Sequence, residues 1–369
     1  MGGGDGDFDF QTKLVHSGLD PSGQCGATSA PIYETASFAY ETAQELADVF
    51  DGKEFGYIYS RISNPTVTAF EQRINAVEKG RGAIPVFSGM AAIATVVLSL
   101  TESGDEIVSR KSLFGGTFLL FNDVFAKYGV TTTYIDPTDI EGFERAVSPR
   151  TRLIFVESLG NPRLDVPDVQ ALPRVADARN VPLVSDNTMT TPYLFRPKEW
   201  GAHITVHSTT KYITGNGTAI GGVIVDSGLY PWKTSPVPKI SEAARNVGGD
   251  FAFLSVARRN VLQNVGNCLS PFNAYLHMLG METSALRMEK HCENALTLAR
   301  YLTGCSKVEG VNYPGLERNP FHALSAKQFN SRFGGLLTFR LGSKRRCFDF
   351  IDRLRMVKNL ANLGDTRTL

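Results

Sequence analysis

No uninterrupted apolar run in the 369 residues approaches the roughly 18 needed to cross a bilayer, so a membrane-spanning helix is not expected. Nor does the beginning, MGGGDGDFDF, have the basic and apolar regions of a secretory signal; it reads as a frayed terminus. Charge of one sign is also lacking. The formal net charge is +1, which argues against nucleic acid or an acidic membrane surface as the main partner. The five cysteines (Cys25, Cys268, Cys292, Cys305 and Cys347) are odd in number, scattered, and free of any CxxC spacing. That excludes an obvious disulfide framework or zinc site and makes a reducing cytoplasm the default location. Internal repeats are missing too. What remains is ordinary globular composition, 42% hydrophobic and 20% charged, with enough length for two or three domains.

Residues 1–65 are rich in turn formers, such as Asp20-Pro21-Ser22-Gly23 and Ser63-Asn64-Pro65, and poor in sustained period. They read as an extended arm that packs on something else. From 66 to about 265, strand and helix patterns alternate. Ala83–Phe87, Asp105–Val108, Val130–Ile135, Leu153–Val156, Pro182–Ser185, Ile204–His207 and Gly221–Val225 read as strands. Val67–Val77, Gly89–Leu100, Thr117–Tyr128, Asp139–Val147 and Val166–Ala178 read as helices. Such alternation predicts an α/β domain with a largely parallel sheet and ligands at the carboxyl ends of its strands. Beyond that, 266–369 reads as a smaller α+β domain: a long helix Pro271–Leu302 with Gly280 as a possible kink, strands Val308–Tyr313 and Leu336–Leu341, and a helix Arg345–Val357.

Polar residues just past the predicted strands form a set. Ser88-Gly89-Met90 opens a helix, where backbone N–H groups and a small residue make a phosphate cradle; alone, most such turns bind nothing. Asp186, in Ser185-Asp186-Asn187-Thr188, suits a pyridinium nitrogen, or simply caps a turn. Lys211 follows an apolar strand with Ser208 and Thr210 beside it. A buried lysine holds a neutral, nucleophilic amine; a lysine at a sheet end also snorkels to water. A phosphate turn, an acid and an amine together are what pyridoxal phosphate requires.

His203 and His207 lie four apart in a strand-like segment, about 13 Å, too far to share a metal ion, and read as structural. No metal is expected. Thr214-Gly215-Asn216-Gly217-Thr218 lacks the GK[ST] of a nucleotide loop and reads as a mobile loop.

The motifs Tyr57-Ile58-Tyr59-Ser60-Arg61-Ile62-Ser63-Asn64-Pro65-Thr66, Ser88-Gly89-Met90-Ala91-Ala92, Leu113-Phe114-Gly115-Gly116-Thr117, Glu157-Ser158-Leu159-Gly160-Asn161-Pro162 and Ser208-Thr209-Thr210-Lys211-Tyr212 resemble those of the Cys/Met-metabolism PLP-dependent enzymes. Ser270-Pro271-Phe272-Asn273-Ala274 extends the likeness. It implies fold type I: a mixed, mostly parallel seven-stranded sheet flanked by helices, with a smaller α+β C-terminal domain. It implies pyridoxal 5′-phosphate on Lys211 as the Schiff-base lysine, with Asp186 at the ring nitrogen. Ser88, Gly89, Met90, Ser208 and Thr210 would hold the phosphate, and Phe114 would stack on the ring. Asn161 would meet the ring oxygen and the substrate carboxylate. Tyr59 and Arg61 would serve a neighbouring subunit's phosphate in a homotetramer, a dimer of dimers.

Phe114 replaces a tyrosine frequent at that position, and phenyl cannot donate a proton. A thiolate leaving group benefits from an acid there; acetate does not need one. The resemblance therefore implies γ-replacement on an O-acylated homoserine by sulfide or a small thiol, giving homocysteine or methionine. It is nearest to the O-acetylhomoserine sulfhydrylases through Gly221–Gly228, Val311–Leu316 and His291–Asn294. Methionine γ-lyase and cystathionine γ-synthase chemistry are the alternatives, and Gly116, where the lyases carry a reactive cysteine, counts against the former. A PLP-binding protein without turnover is the alternative from another class. The sulfur donor, free or on a carrier protein, stays open. The family pattern continues past Leu363-Gly364-Asp365 and there supplies an arginine for the substrate carboxylate. No arginine matches that motif here, so the C-terminal domain is expected to be incomplete, and Asn362 is the expected carboxylate contact, through its backbone.

Overall fold

The computed structural model describes residues 8–369; most of the expected frayed start lies outside them. Phe10 is not frayed. Asp9 accepts a hydrogen bond from the Thr12 N–H at 2.8 Å and caps a helix, Phe10–His16, whose Leu14 is buried against the helix Pro65–Glu78.

Seven strands form one sheet: β1 (Gly82–Val86), β2 (Glu106–Arg110), β3 (Thr131–Ile135), β4 (Thr151–Glu157), β5 (Leu183–Asp186), β6 (Ile204–Ser208) and β7 (Gly222–Asp226). Their order is β1-β7-β6-β5-β4-β2-β3. Neighbours are parallel except where β7 runs antiparallel to both β1 and β6. The central strands are apolar on both faces, as a sheet covered on both sides requires. In β4, Leu153 and Phe155 join the core under the helix Gly89–Leu100, whereas Ile154 and Val156 join the opposite core with Phe143, Leu172 and Val175. Each such side chain contributes about 1.5–3 kcal/mol when fully buried. Two further short strands, β8 (Gly310–Asn312) and β9 (Thr338–Arg340), pair antiparallel in a separate sheet.

Four expected helices differ, and the one expected over Arg345–Val357 runs only from Lys344 to Ile351. The stretch Val166–Ala178 is helical only over Leu172–Ala178. Pro167 lacks an N–H, and the Asp168 carboxylate takes the Gln170 and Ala171 N–H groups into a turn. The segment expected as helix over Thr117–Tyr128 begins at Gly115 and passes through π and 3₁₀ turns. The long helix expected over Pro271–Leu302 is two, Pro271–Glu282 and Ser284–Thr303, and it breaks at Thr283 rather than Gly280. Gly280 serves close approach instead: a Cβ there would run into the Thr214 carbonyl oxygen. No helix among the described residues is long and apolar enough to cross a membrane.

Candidate active site

The carboxyl ends of β1, β4, β5 and β6 share one edge of the sheet, and the turns that leave them build the site. Beyond β1, the Ser88 hydroxyl accepts from the Ala91 N–H at 3.1 Å and caps the 12-residue helix Gly89–Leu100. Small residues let this turn sit hard against its neighbours. A Cβ on Gly89 would lie 2.5 Å from the Ser208 Cβ, and one on Gly222 would collide with the Ser88 carbonyl oxygen. Ser88, Gly89 and Ser208, expected together from separate strand ends, do converge.

Past β6, the Ser208 N–H donates to the Thr188 hydroxyl at 2.8 Å. The Thr210 hydroxyl accepts from the Gly221 N–H at 3.1 Å and donates to the Gly221 carbonyl at 3.2 Å, so its proton is already engaged with β7's approach. Lys211 is half-buried, and that burial lowers its pKa, favouring the neutral amine. Its Nζ donates to Asn362 Oδ1 at 2.7 Å. Where the sequence suggested only a backbone role for Asn362, the structure shows a side-chain contact to the lysine. Gly364, at φ +79°, lies so close that a Cβ would be 2.5 Å from the Tyr212 nitrogen; its left-handed backbone and its lack of a side chain are both required. From the other side Arg287 donates to the Tyr212 and Gly280 carbonyls, each at 2.6 Å, and to the Ile213 carbonyl at 3.1 Å. The lysine-bearing loop is thus fixed by its own carbonyls.

Asp186 ends β5 and accepts from the Thr188 N–H at 2.9 Å. Burial raises its pKa, against the Thr188 hydrogen bonds and the nearby His207 ring. Beside it in register, at the end of β4, stands Glu157, 4% exposed. Burial, reinforced by the Asp186 charge, pushes the Glu157 carboxyl up to about 8. Glu157 Oε1 accepts from the Phe114 N–H at 2.6 Å. Phe114 precedes the short helix Gly115–Leu119 and leaves 46% of its surface exposed. Behind Glu157, the buried Arg110 donates to the Glu157 carbonyl at 2.6 Å and the Asp165 carbonyl at 3.1 Å, and pairs with the Asp165 carboxylate at 2.6 Å. These contacts brace both ends of the loop that carries half-buried Asn161. Sequence patterning missed Glu157 and Arg110. The available signal was a charged residue at the last position of an apolar strand, one step past the predicted Leu153–Val156.

Tyr59 and Arg61 lie apart from this cluster. The Arg61 guanidinium sits 5.3 Å over the Tyr59 ring and hydrogen-bonds the Gln263 carbonyl; both side chains are exposed. Met90 is half-buried and packs against the core under the Gly89–Leu100 helix. His203 and His207 take separate partners. His203 meets Asp177 at 3.0 Å, and His207 meets the buried Glu78 at 2.5 Å. Among the described residues no group of three or more His, Cys, Asp or Glu side chains is placed to hold a metal ion.

A neutral-leaning amine, a buried carboxylate and a cradle that a single Cβ would fill suit an aromatic aldehyde with a basic ring nitrogen and a phosphate. That is the donor set of pyridoxal phosphate.

Comparison with known proteins agrees. The profile of the family described as Cys/Met metabolism PLP-dependent enzyme matches residues 11–369. O-acetyl-L-homoserine sulfhydrylase 1 of Thermus thermophilus is 40% identical, over 98% of this chain and 88% of its own. Homocysteine synthase of Schizosaccharomyces pombe is 38% identical, over 98% and 86%. A Campylobacter jejuni crystal structure, provisionally named an O-acetylhomoserine (thiol)-lyase, superposes with a TM-score of 0.93 at 32% identity, over 98% of this chain and 91% of that one. It carries N′-pyridoxyl-lysine-5′-monophosphate.

Proposed function

The chain belongs to the Cys/Met metabolism PLP-dependent enzyme family, and from that premise we propose that it joins sulfide or a small thiol to the γ-carbon of an O-acylated homoserine, releasing the acyl group as a carboxylic acid. With O-acetylhomoserine and sulfide, the products are homocysteine and acetate. The observation that carries this reading is Lys211, an amine kept toward its neutral form by burial at the carboxyl edge of the sheet, one strand from Asp186.

Bound PLP supplies an electron sink for negative charge at the substrate's α-carbon. This chain's residues do the rest. Lys211 Nζ would hold the cofactor's aldehyde carbon and, as a free amine, would be the base that takes the α-proton and, after handing that proton on, a β-proton. Asp186 holds a proton on the ring nitrogen. Ser88, Gly89, Met90 and Ser208 seat the phosphate, and Thr210 joins them by turning its hydroxyl proton away from the Gly221 carbonyl. Asn161 and Asn362 face the substrate carboxylate. Phe114 stacks without offering a proton, which suits a carboxylate leaving group that needs none and favours O-acyl substrates over thioethers.

In this reading Tyr59 and Arg61, on the arm, serve a second copy's site in a dimer of dimers. Their exposure, together with that of Phe50 (62%) and Phe55 (85%), supports an arm that packs on a partner. The three-part division follows the same reading, with an arm at 1–65, the cofactor domain at 66–265 and a C-terminal domain at 266–369. The seven-stranded sheet lies wholly in the second part, and β8 and β9 lie in the third.

The test is direct. Purified protein with PLP, O-acetylhomoserine and sulfide should release acetate and homocysteine, and Lys211→Ala should not. Acetate release no faster than from the Lys211→Ala variant would overturn the assignment.

A further inference from the structure

The cofactor contacts assigned above come from separate loops, and one side chain joins them. Glu157 closes β4 directly beside Asp186 of β5, is almost wholly buried, and holds the Phe114 N–H through Oε1 at 2.6 Å. Asn161 lies four residues further on, in the loop that leaves β4. Thus the stacking ring, the loop of the residue at the ring's oxygen edge and the acid for the ring nitrogen all border one buried group. Arg110 does not neutralise it by direct pairing. Its guanidinium goes to the Glu157 carbonyl oxygen and to Asp165, fixing where the strand ends and leaving the Glu157 side chain to the loops in front.

We propose that Glu157 is a positioning residue of the cofactor site, holding Phe114 over the ring through a hydrogen bond to its backbone N–H and anchoring the start of the loop that brings Asn161 to the ring's edge. It rests on the assignment of those two residues to the cofactor. The requirement is for an acceptor of the right reach, not for a charge. Two adjacent buried carboxylates disfavour double ionisation, and Asp186 is the member whose charge the ring nitrogen uses. Glu157 serves as the protonated partner, its carbonyl oxygen taking the Phe114 N–H.

Reach and charge are separable by substitution. Glu157→Gln keeps length and an acceptor but cannot ionise; Glu157→Asp keeps an ionisable carboxyl but falls one methylene short; Glu157→Ala has neither. PLP affinity, read by titrating cofactor-free protein, and visible circular dichroism per bound cofactor report the seat without reference to turnover. Glu157→Gln should match wild type in both. Glu157→Ala and Glu157→Asp should bind PLP about tenfold more weakly, the worth of one buried hydrogen bond, with reduced ellipticity. With Phe114→Ala the losses should overlap, so that Glu157→Ala adds less than its full effect.

Glutamine failing as badly as alanine, or aspartate matching wild type, overturns the proposal. So does full multiplication of the Glu157 and Phe114 effects. If alanine does not fold, the aspartate and glutamine pair decides alone. Wild-type protein that binds no PLP would instead refute the cofactor reading, a result these comparisons keep distinct.

Discussion

The carboxamide oxygen of Asn362 accepts a hydrogen bond from the Lys211 amine at 2.7 Å, across 151 residues of sequence. An acceptor there stabilises the ammonium form, against the burial that disfavours it. Placing a carboxylate at this position, Asn362→Asp, should raise the lysine pKa and reduce the neutral fraction at a given pH. Below neutrality, covalent capture of PLP by the cofactor-free protein should then slow about tenfold for every pH unit by which the amine's pKa rises, with the rate profile displaced to higher pH. Asn362→Ala should not slow capture. Stopped-flow absorbance across pH would show it, and an aspartate profile overlying wild type would contradict it.

Phe114→Tyr tests the reading of the missing proton donor. Turnover of O-acetylhomoserine should change only a few-fold, whereas elimination from methionine or cystathionine should rise by about tenfold or more, the scale of general acid assistance. Acetate release from O-acetylhomoserine with sulfide, and keto-acid release from methionine and cystathionine, measure this. Equal response of all three would remove the argument from Phe114 to the acyl group.

Glu157 carries a pH signature of its own. Its carboxyl is raised from 4.5 to about 8 in the folded protein. Between those values the folded state keeps a proton that the unfolded chain releases, so stability falls as pH rises, by at most about 1.4 kcal/mol per pH unit. Its contribution is fully present below about 4.5 and gone above about 8. Cofactor-free Glu157→Gln should lose that part of the slope in urea unfolding at pH 5, 6.5 and 8. An unchanged slope would show that Glu157 does not hold the proton.

Arg110 and Asp165 form an ion pair with side chains 0% and 8% exposed. Arg110→Met should destabilise by about 3–5 kcal/mol, because Asp165 is left buried and unpaired. Replacing both, Arg110→Met with Asp165→Leu, should recover much of that. Denaturant midpoints would report the difference. Additive losses would mean that Arg110 acts mainly through the Glu157 and Asp165 carbonyls.

Much of this site was legible because its parts lie where apolar runs end. The helix Gly89–Leu100 follows to the residue from a strand, a small turn and an apolar stretch. Lys211, Asp186 and Ser88 stood out as a set at strand carboxyl ends, although each alone also fitted a snorkelling lysine, a turn acid or an ordinary cap. Glu157 was hidden by the same logic, since it sits inside the strand as folded and its partner, the Phe114 N–H, is 43 residues away. Arg110 likewise looks like any residue after a short strand; only the packed structure shows its guanidinium turned inward. Gly280 misled because glycine in a helix marks either a bend or a close approach, and sequence period does not separate the two.

Gly364 lying on the Lys211–Tyr212 backbone has a bearing on biogenesis. Every strand of the large sheet, and the lysine itself, has been synthesised by Asp226, yet the segment that seats the amine comes more than a hundred residues later. Contacts so distant in sequence form late. During synthesis the nascent polypeptide can assemble its sheet while the lysine still swings free, and a vitamin arriving then would meet a reactive amine without its lock.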